Sequence, residues 1–215
     1  MNHRITFPSV HSMGGRPFVA EASAPTPDLA VREVLEHCAR EGIALEYLRL
    51  HDIQDLKGAR LDGLKLSNCK LSSVNLSGAS LAGTRVEHCT FAKVVADRGT
   101  RLDGSVLDSV TFEDCLLNGA TFKAASLSSL RFEFTEANAL DLEGASVDGL
   151  RSIQSNLSGW KAHMCRLKSV EAAESLVASM NLSENQKAAV RTLAITGSRE
   201  AAAHYLRGLE AASAT

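Results

Sequence analysis

Three short runs hold the residue types that could do chemistry: His37-Cys38, His88-Cys89 and His163-Met164-Cys165. An imidazole beside a thiol could ligate a metal or activate a nucleophile, provided both side chains reach the same point. The five cysteines, at 38, 69, 89, 115 and 165, show no metal-like spacing and leave an odd one out of any disulfide framework. Asn-Leu-Ser triplets at Asn75, Asn156 and Asn181 match the glycosylation sequon. His204 and Tyr205 have no catalytic context, and there is no Gly-rich phosphate loop, paired-carboxylate motif or basic-aromatic pattern. Whether the His-Cys pairs can act depends on which way each side chain points, and the surrounding repeat sets that.

The repeat is a large apolar residue every five positions. It runs Leu56, Leu61, Leu66, Leu71, Leu76, Leu81, Val86, Phe91, and resumes as Leu102, Leu107, Phe112, Leu117, Phe122, Leu127, Phe132, Leu142, Val147, Leu157 and Leu167. Ala137, Ser152 and Ala162 fill the weaker places. Five residues on an α-helix advance about 140° beyond a full turn, so the leucines would smear around the cylinder. In an unbroken strand, residues five apart point to opposite faces. Each pentad must therefore contain its own bend. Two residues before each large residue, on the same face of a short extended piece, the side chains are small or apolar, as at Ala59, Leu64, Cys69 and Val74. Two residues after it, glycine recurs at 58, 63, 78, 83, 104, 119, 144, 149 and 159, where a corner needs unusual dihedrals.

The stretches Ala59 to Gly63 (ARLDG), Ala79 to Gly83 (ASLAG) and Ala145 to Gly149 (ASVDG) resemble the small-x-Leu-polar-Gly unit of pentapeptide-repeat proteins. The resemblance covers roughly residues 54 to 170. It implies a mainly β fold, a right-handed quadrilateral β-helix in which four pentads close one 20-residue coil. At about 4.8 Å per coil the repeats would stack into a rod on the order of 25 Å long.

Within that frame Cys69, Cys89, Cys115 and Cys165 take inward slots, whereas His88 and His163 face a corner or solvent. Strand neighbours cannot easily chelate together. The cysteines read as reduced and structural, and the first two Asn-Leu-Ser triplets as products of the repeat's own pattern. Neither cofactor nor metal is expected, and the protein reads as a non-enzyme. A net charge of −2 argues against nonspecific nucleic-acid binding, and no apolar run approaches the roughly 18 residues that span a bilayer. A cytoplasmic protein is the default expectation.

Residues 1–25 lack a secretory apolar region and read as a disordered arm, with a type III secretion signal as a sharper alternative. Residues 26–42 read as a helix, with Thr26 as N-cap, Pro27 at N1 and Gly42 at its end. Residues 43–170 form the repeat region, Leu48 and Ile53 belonging to a first irregular coil. Residues 171–215 read as helical: Ser183 to Gln186 is a capping box opening a helix to about Ile195, and Ala202, Tyr205, Leu206 and Leu209 stripe a second. Both helical segments read as caps on the solenoid's open ends.

Outward residues just before each core position are mostly basic and those just after mostly acidic, as at Arg85 and Glu87 or Arg101 and Asp103, giving a mixed surface. Some pentapeptide-repeat proteins bind DNA gyrase as DNA mimics through an acidic face and a dimer, so a topoisomerase modulator of the quinolone-resistance type is one alternative. This chain lacks a clean acidic face, and its one break, with Asp97-Arg98-Gly99 at the tip, is too short for a projecting loop. It reads as a small bulge that resets the same core columns. A subunit of an enzyme acting through the C-terminal helices is a second alternative. The leading reading is a protein-binding or scaffold rod, in its most concrete version a bacterial effector. One outward row, Asp55, Asn75, Val95, Leu116, Glu136 and Asn156, carries no Lys or Arg. Val95 and Leu116, with Phe134 at the neighbouring corner and Arg98 at the break, are the candidate interface for a protein partner or a homodimer.

Overall fold

The computed structural model describes residues 2–12, 16–53 and 55–193. The pentads close into a solenoid with four flat faces, two of which carry regular parallel sheet. One face is a seven-stranded sheet of β3 (Ala44–Glu46), β5 (Lys65–Ser67), β7 (Arg85–Glu87), β9 (Val106–Asp108), β11 (Ser126–Ser128), β13 (Ser146–Asp148) and β15 (Arg166–Leu167). The next is an eight-stranded sheet. Its strands are β4 (Arg49–His51), β6 (Lys70–Ser72), β8 (Thr90–Ala92), β10 (Thr111–Glu113), β12 (Arg131–Glu133), β14 (Leu150–Ile153), β16 (Val170–Ala173) and β17 (Val190–Leu193). On the other two faces single parallel bridges link the coils, one through Val95 and one through Arg101.

Each strand is short because the chain turns a corner two residues after its central apolar residue. The corner residue sits in the left-handed region whether it is glycine, as at Gly63 (φ 73), or not, as at Asn68 (φ 54). That conformation costs a non-glycine residue about 1 kcal/mol, and the stacked coil on the next level fixes it: Asn68 N–H donates to Glu87 O at 3.0 Å.

Both inward positions of every pentad fill the core. Ala59, Leu64, Cys69 and Val74, and their counterparts on later coils through Val170, are buried, as are the large residues from Leu56 to Leu157. Phe91, Phe112 and Phe132 stack along the eight-stranded face with centroids 5.1 and 5.5 Å apart. Above Phe132 the sequence turns small, at Ser152 and Ala172. There Trp160 reaches across from another column, edge-on to Phe132 at 6.5 Å, and its indole N–H donates to Ala137 O at 2.7 Å. Trp160 thus fills the space beside Phe132 where that column turns small.

Inward N–H groups at one corner are satisfied by the side chain one coil above. Thr135 N donates to Ser155 Oγ at 2.9 Å and Cys115 N to Thr135 Oγ1 at 3.3 Å, while Cys69 N donates to Cys89 Sγ at 3.3 Å. A buried, unpaired N–H would cost about 1–3 kcal/mol. Serine, threonine and cysteine therefore serve this slot in a way alanine cannot.

The register shifts twice. Asn75 pairs with Val95, 20 residues on, but Ser80 pairs with Arg101, 21 on. One extra residue is thus absorbed between Val95 and Arg101, closed by Thr100 N–H donating to Asp97 O at 2.9 Å, and the core columns continue on both sides. A second insertion lies in the first coil, where Arg49 pairs with Lys70 at an offset of 21 but Arg60 with Ser80 at 20. Asn75 N–H consequently donates to Ile53 O. This corrects the outward row, because Asp55 falls out of its register.

The ends also depart from the sequence reading. Instead of a disordered arm, β1 (Asn2–Ser12) and β2 (Arg16–Ser23) form an antiparallel pair that packs beside α1 (Pro27–Glu41). Thr26 Oγ1 caps α1 by accepting from Leu29 N at 3.3 Å, and Gly42 (φ 68) ends it. The capping box at Ser183 opens only a five-residue helix, α2 (Glu184–Ala188). The chain then returns to the solenoid as β17, each residue from Val190 to Leu193 paired with β16. In-register pairing outweighs helix propensity here, so the repeat architecture extends past 170 to Leu193. The helix read from Ala202 to Leu209 lies outside the described residues.

Both helices close the solenoid edges. Arg32 donates to Lys57 O and Gly58 O at 3.0 and 3.3 Å, and Arg60 N–H donates to Glu36 Oε1 at 2.9 Å. At the other end Gln186 Nε2 donates to Ala162 O and Cys165 O at 2.9 and 2.6 Å, while its Oε1 accepts from Ser183 N. One glutamine both completes the capping box and satisfies two carbonyls of the coil beneath.

Candidate functional site

The thiols are built into the frame. All five cysteines are reduced and buried. Burial pushes the Cys38 and Cys165 thiols up to about 11 and the Cys115 thiol up to about 12. At the stacked pair, the hydrogen bond to Cys69 and then burial hold the Cys89 thiol well above its ordinary value. Nucleophilic cysteines need the opposite shift together with access; the hydrogen bond with Cys89 does lower the Cys69 thiol, but Cys69 is buried in the core. His88 occupies a left-handed corner at φ 51 and is exposed, so it points away from Cys89, and Met164 at the equivalent corner is 75% exposed between His163 and Cys165. Among the described residues no three His, Cys, Asp or Glu side chains are placed to hold a metal ion.

The sequon-like triplets have a local structural cause. Asn75 Oδ1 accepts from Ser77 N at 3.0 Å, and Asn156 Oδ1 from Ser158 N at 3.1 Å. Both are Asx turns that hold the bend on the Val95 face.

The charged rows pair locally. Arg85 meets Glu87 and Arg101 meets Asp103 across one strand position, while Lys123 bridges to Asp141 and Glu143 and Lys168 to Asp148 on neighbouring coils. Pairs this exposed contribute little to stability, and they interleave the two signs.

The Val95 face differs. Bridges run Asn75 to Val95, Leu116, Glu136, Asn156 and Leu176 in one continuous ladder. Val95 is half-buried, whereas Leu116 and Leu176 are 45% and 55% exposed. Leu176 escaped the sequence reading because the repeat register was followed only to residue 170. The row beside the ladder is Ser77, Asp97, Asn118, Asn138 and Ser158, with Asn138 N donating to Asn118 Oδ1 at 3.3 Å. Neither row contains Lys or Arg between 75 and 176. Phe134, read as an exposed anchor, is half-buried at the corner with φ 53, its N–H donating to Ile153 O. Ile153 is itself fully buried although strand alternation turns it outward. Arg98 is exposed at the insertion and lies across Gly119 of the next coil, where an added Cβ would stand 3.4 Å from Arg98 Cβ. Val95 and Leu116 thus share one side, with Phe134 at its edge and Arg98 over its corner.

Stacked parallel coils, two inward columns per pentad and left-handed corners define a β-solenoid repeat protein. The family model for pentapeptide repeats matches residues 55–91 as eight copies. Residues 55–91 are thus pentapeptide repeats, and the same coil continues in the structure to Leu193. Similar solved structures include the pentapeptide-repeat protein Rfr23 from the cyanobacterium Cyanothece 51142, 18% identical over 63% of this chain and 88% of that one, with a TM-score of 0.35. A trypsin-treated variant of QnrB1, a plasmid-mediated fluoroquinolone resistance protein, is 12% identical over 77% of this chain and 89% of that one, TM-score 0.31. HetL, involved in heterocyst differentiation regulation in Nostoc sp. strain PCC 7120, is 19% identical over 64% and 94%, TM-score 0.22. No curated protein matches the sequence. No helix among the described residues is long and apolar enough to cross a membrane.

Proposed function

We propose that this protein is a non-enzymatic binding rod whose Val95 face engages a protein partner. The observation that carries the reading is the unbroken ladder from Asn75 to Leu176, which presents Leu116 and Leu176 beside amides and hydroxyls with no basic side chain in the row. Such a surface is inexpensive to desolvate, and exposed leucines rimmed by polar groups mark interaction sites. The ladder is one strand position wide and five coil steps long, on the order of 24 Å. That footprint is too narrow for the roughly 800 Å² per partner of a standard interface between two globular surfaces. It suits an amphipathic helix of about 16 residues laid along the rod. Delivery into a host cell remains a version of this reading, but its argument was an unstructured leader, and the pairing of β1 with β2 removes that support.

The test is Leu116→Lys combined with Leu176→Lys. Both side chains are exposed, so the double variant should melt with wild type. Affinity capture from bacterial and host lysates, followed by direct binding of the recovered partner and its isolated helix, should show binding to wild type and none to the variant. Equal binding to both moves the site elsewhere.

A further inference from the structure

The outward row that follows the core position on the eight-stranded face changes character along the rod. Parallel pairing runs it through Ala92, Glu113, Glu133, Ile153, Ala173 and Leu193. Ala92, Glu113 and Glu133 are half-buried, as residues beside a corner should be. Ile153 and Ala173, by contrast, are 0% and 3% exposed. Their direction is fixed by alternation, because Leu150 and Ser152 on β14, and Val170 and Ala172 on β16, take the inward slots. Neither Ile153 nor Ala173 joins the hydrophobic cluster that fills the solenoid. They are buried on its outside.

Burial of this kind needs a roof. Side chains of a strand stand roughly perpendicular to the sheet, so neighbours in the row flank Ile153 without covering it. The other described elements are engaged elsewhere. The first coil, closed by α1 with β1 and β2 beside it, is five steps and about 24 Å from β14. At the far end α2 closes over the Ala162 and Cys165 carbonyls. The burial is that of a single molecule, so the cover belongs to the same chain.

We infer that the outer surface of β14 and β16 is a docking site for an amphipathic segment, and that its resting occupant is the chain's own residues 194–215, folded back as a strap with Tyr205, Leu206 and Leu209 against Ala173 and Ile153. Leu193 pairs with Ala173, so the chain leaves β17 one coil from the patch. Gly197 and Ser198 suit a reversal there, the glycine through its free dihedrals and the serine as an N-cap. Ala202, Tyr205, Leu206 and Leu209 then recur at the spacing of one apolar stripe. Seven residues at helical rise cover about 10 Å, the same as the two coil steps of about 4.8 Å from Leu193 back to Ile153.

Thiol accessibility in the full chain tests the strap, since all five native cysteines are buried and give a low background. Ala92→Cys and Ala173→Cys place a thiol in the same row, one outside the patch and one within it. Ala173→Cys should react with a maleimide at least about tenfold more slowly than Ala92→Cys, the protection of a site that opens only locally. Leu206→Asp combined with Leu209→Asp should bring Ala173→Cys up to the Ala92→Cys rate while β16 keeps its amide protection, because its hydrogen bonds run to β14 and β17. If the double variant loses that protection, Leu209→Asp alone carries the comparison. If Ala173→Cys melts below wild type, hydroxyl-radical footprinting of the native Ile153 replaces it, with oxidation low in wild type and raised in the Asp variant. Equal reactivity of Ala92→Cys and Ala173→Cys, or protection that survives the Asp substitutions, overturns the strap. Protection that fades on dilution assigns the cover to a second copy and overturns the intramolecular assignment. None of these outcomes depends on Leu116 or Leu176, so the Val95 reading stands or falls separately.

Discussion

Trp160 is the sharpest probe of how this core is filled. It is the only tryptophan, 1% exposed, and it occupies a slot that holds alanine at 59, 79 and 120. Trp160→Ala removes the ring that packs edge-on to Phe132 and leaves the Ala137 carbonyl without its donor. Aromatic truncations in cores cost about 3–5 kcal/mol, and the unmet buried carbonyl adds about 1 kcal/mol, so a loss of about 4–6 kcal/mol is expected. The compensation idea makes a stronger claim about Ser152, which pairs directly with Phe132. In the native protein Ser152→Phe overfills the space already held by Trp160 and should cost about 1–3 kcal/mol. In the Trp160→Ala background the same phenylalanine would extend the stack of Phe112 and Phe132 and should recover about 1–2 kcal/mol. Urea unfolding of the four proteins, followed by far-ultraviolet circular dichroism because the tryptophan is lost, gives the coupling energy. If Ser152→Phe destabilises both backgrounds equally, the two positions do not share a volume and the reasoning fails.

Leu127 lies between Leu107 and Val147 on adjacent coils, so Leu127→Ala should cost about 2–5 kcal/mol in urea melts, and Leu127→Asp should yield no folded protein; a soluble, unaltered Asp variant would refute the core register. Glu36→Ala frees Arg60 N–H and loosens Arg32 at the first coil, so hydrogen exchange should accelerate at Arg60 and the neighbouring coil edge while coils beyond Leu107 keep their protection. Because burial holds the Cys115 thiol near 12 in the folded chain, its contribution to stability is complete at neutral pH and is lost as pH rises from about 9 toward 12. Urea midpoints of wild type should therefore fall more steeply over that window than those of Cys115→Ala. Limited proteolysis at Asp97 to Gly99 should not release two separately folded halves, since the core columns run through the insertion unbroken; two stable fragments would contradict this.

Much of this fold was legible because a five-residue period is incompatible with both a helix and an unbroken strand. Position within the pentad then assigned inside, outside and corner to each residue, and it correctly turned Cys89 inward and His88 outward. The Val95 row was legible for the same reason: counting coils places Val95 beside Leu116. The same arithmetic failed where the repeat loses its glycines. Ala172, Val177 and Leu182 continue the core without a recognisable unit, and Val190–Leu193, which reads as the end of a helix, pairs as a strand because β16 offers it a complete partner edge. Asp55 was misplaced because one inserted residue in the first coil is invisible to a periodicity that starts after it.

The sequence by itself determined the coil, since bend, inward face and corner are local properties of five residues and repeat with them. What lies next to what along the rod was decided only by the tertiary structure, because it depends on where single residues are inserted and on how neighbouring coils share volume. Trp160 fits over Phe132 only because Ser152 and Ala172 leave room. Glu36 and Gln186 close the two ends only because stacking leaves the Arg60 N–H and the Ala162 and Cys165 carbonyls without a further coil to bind them.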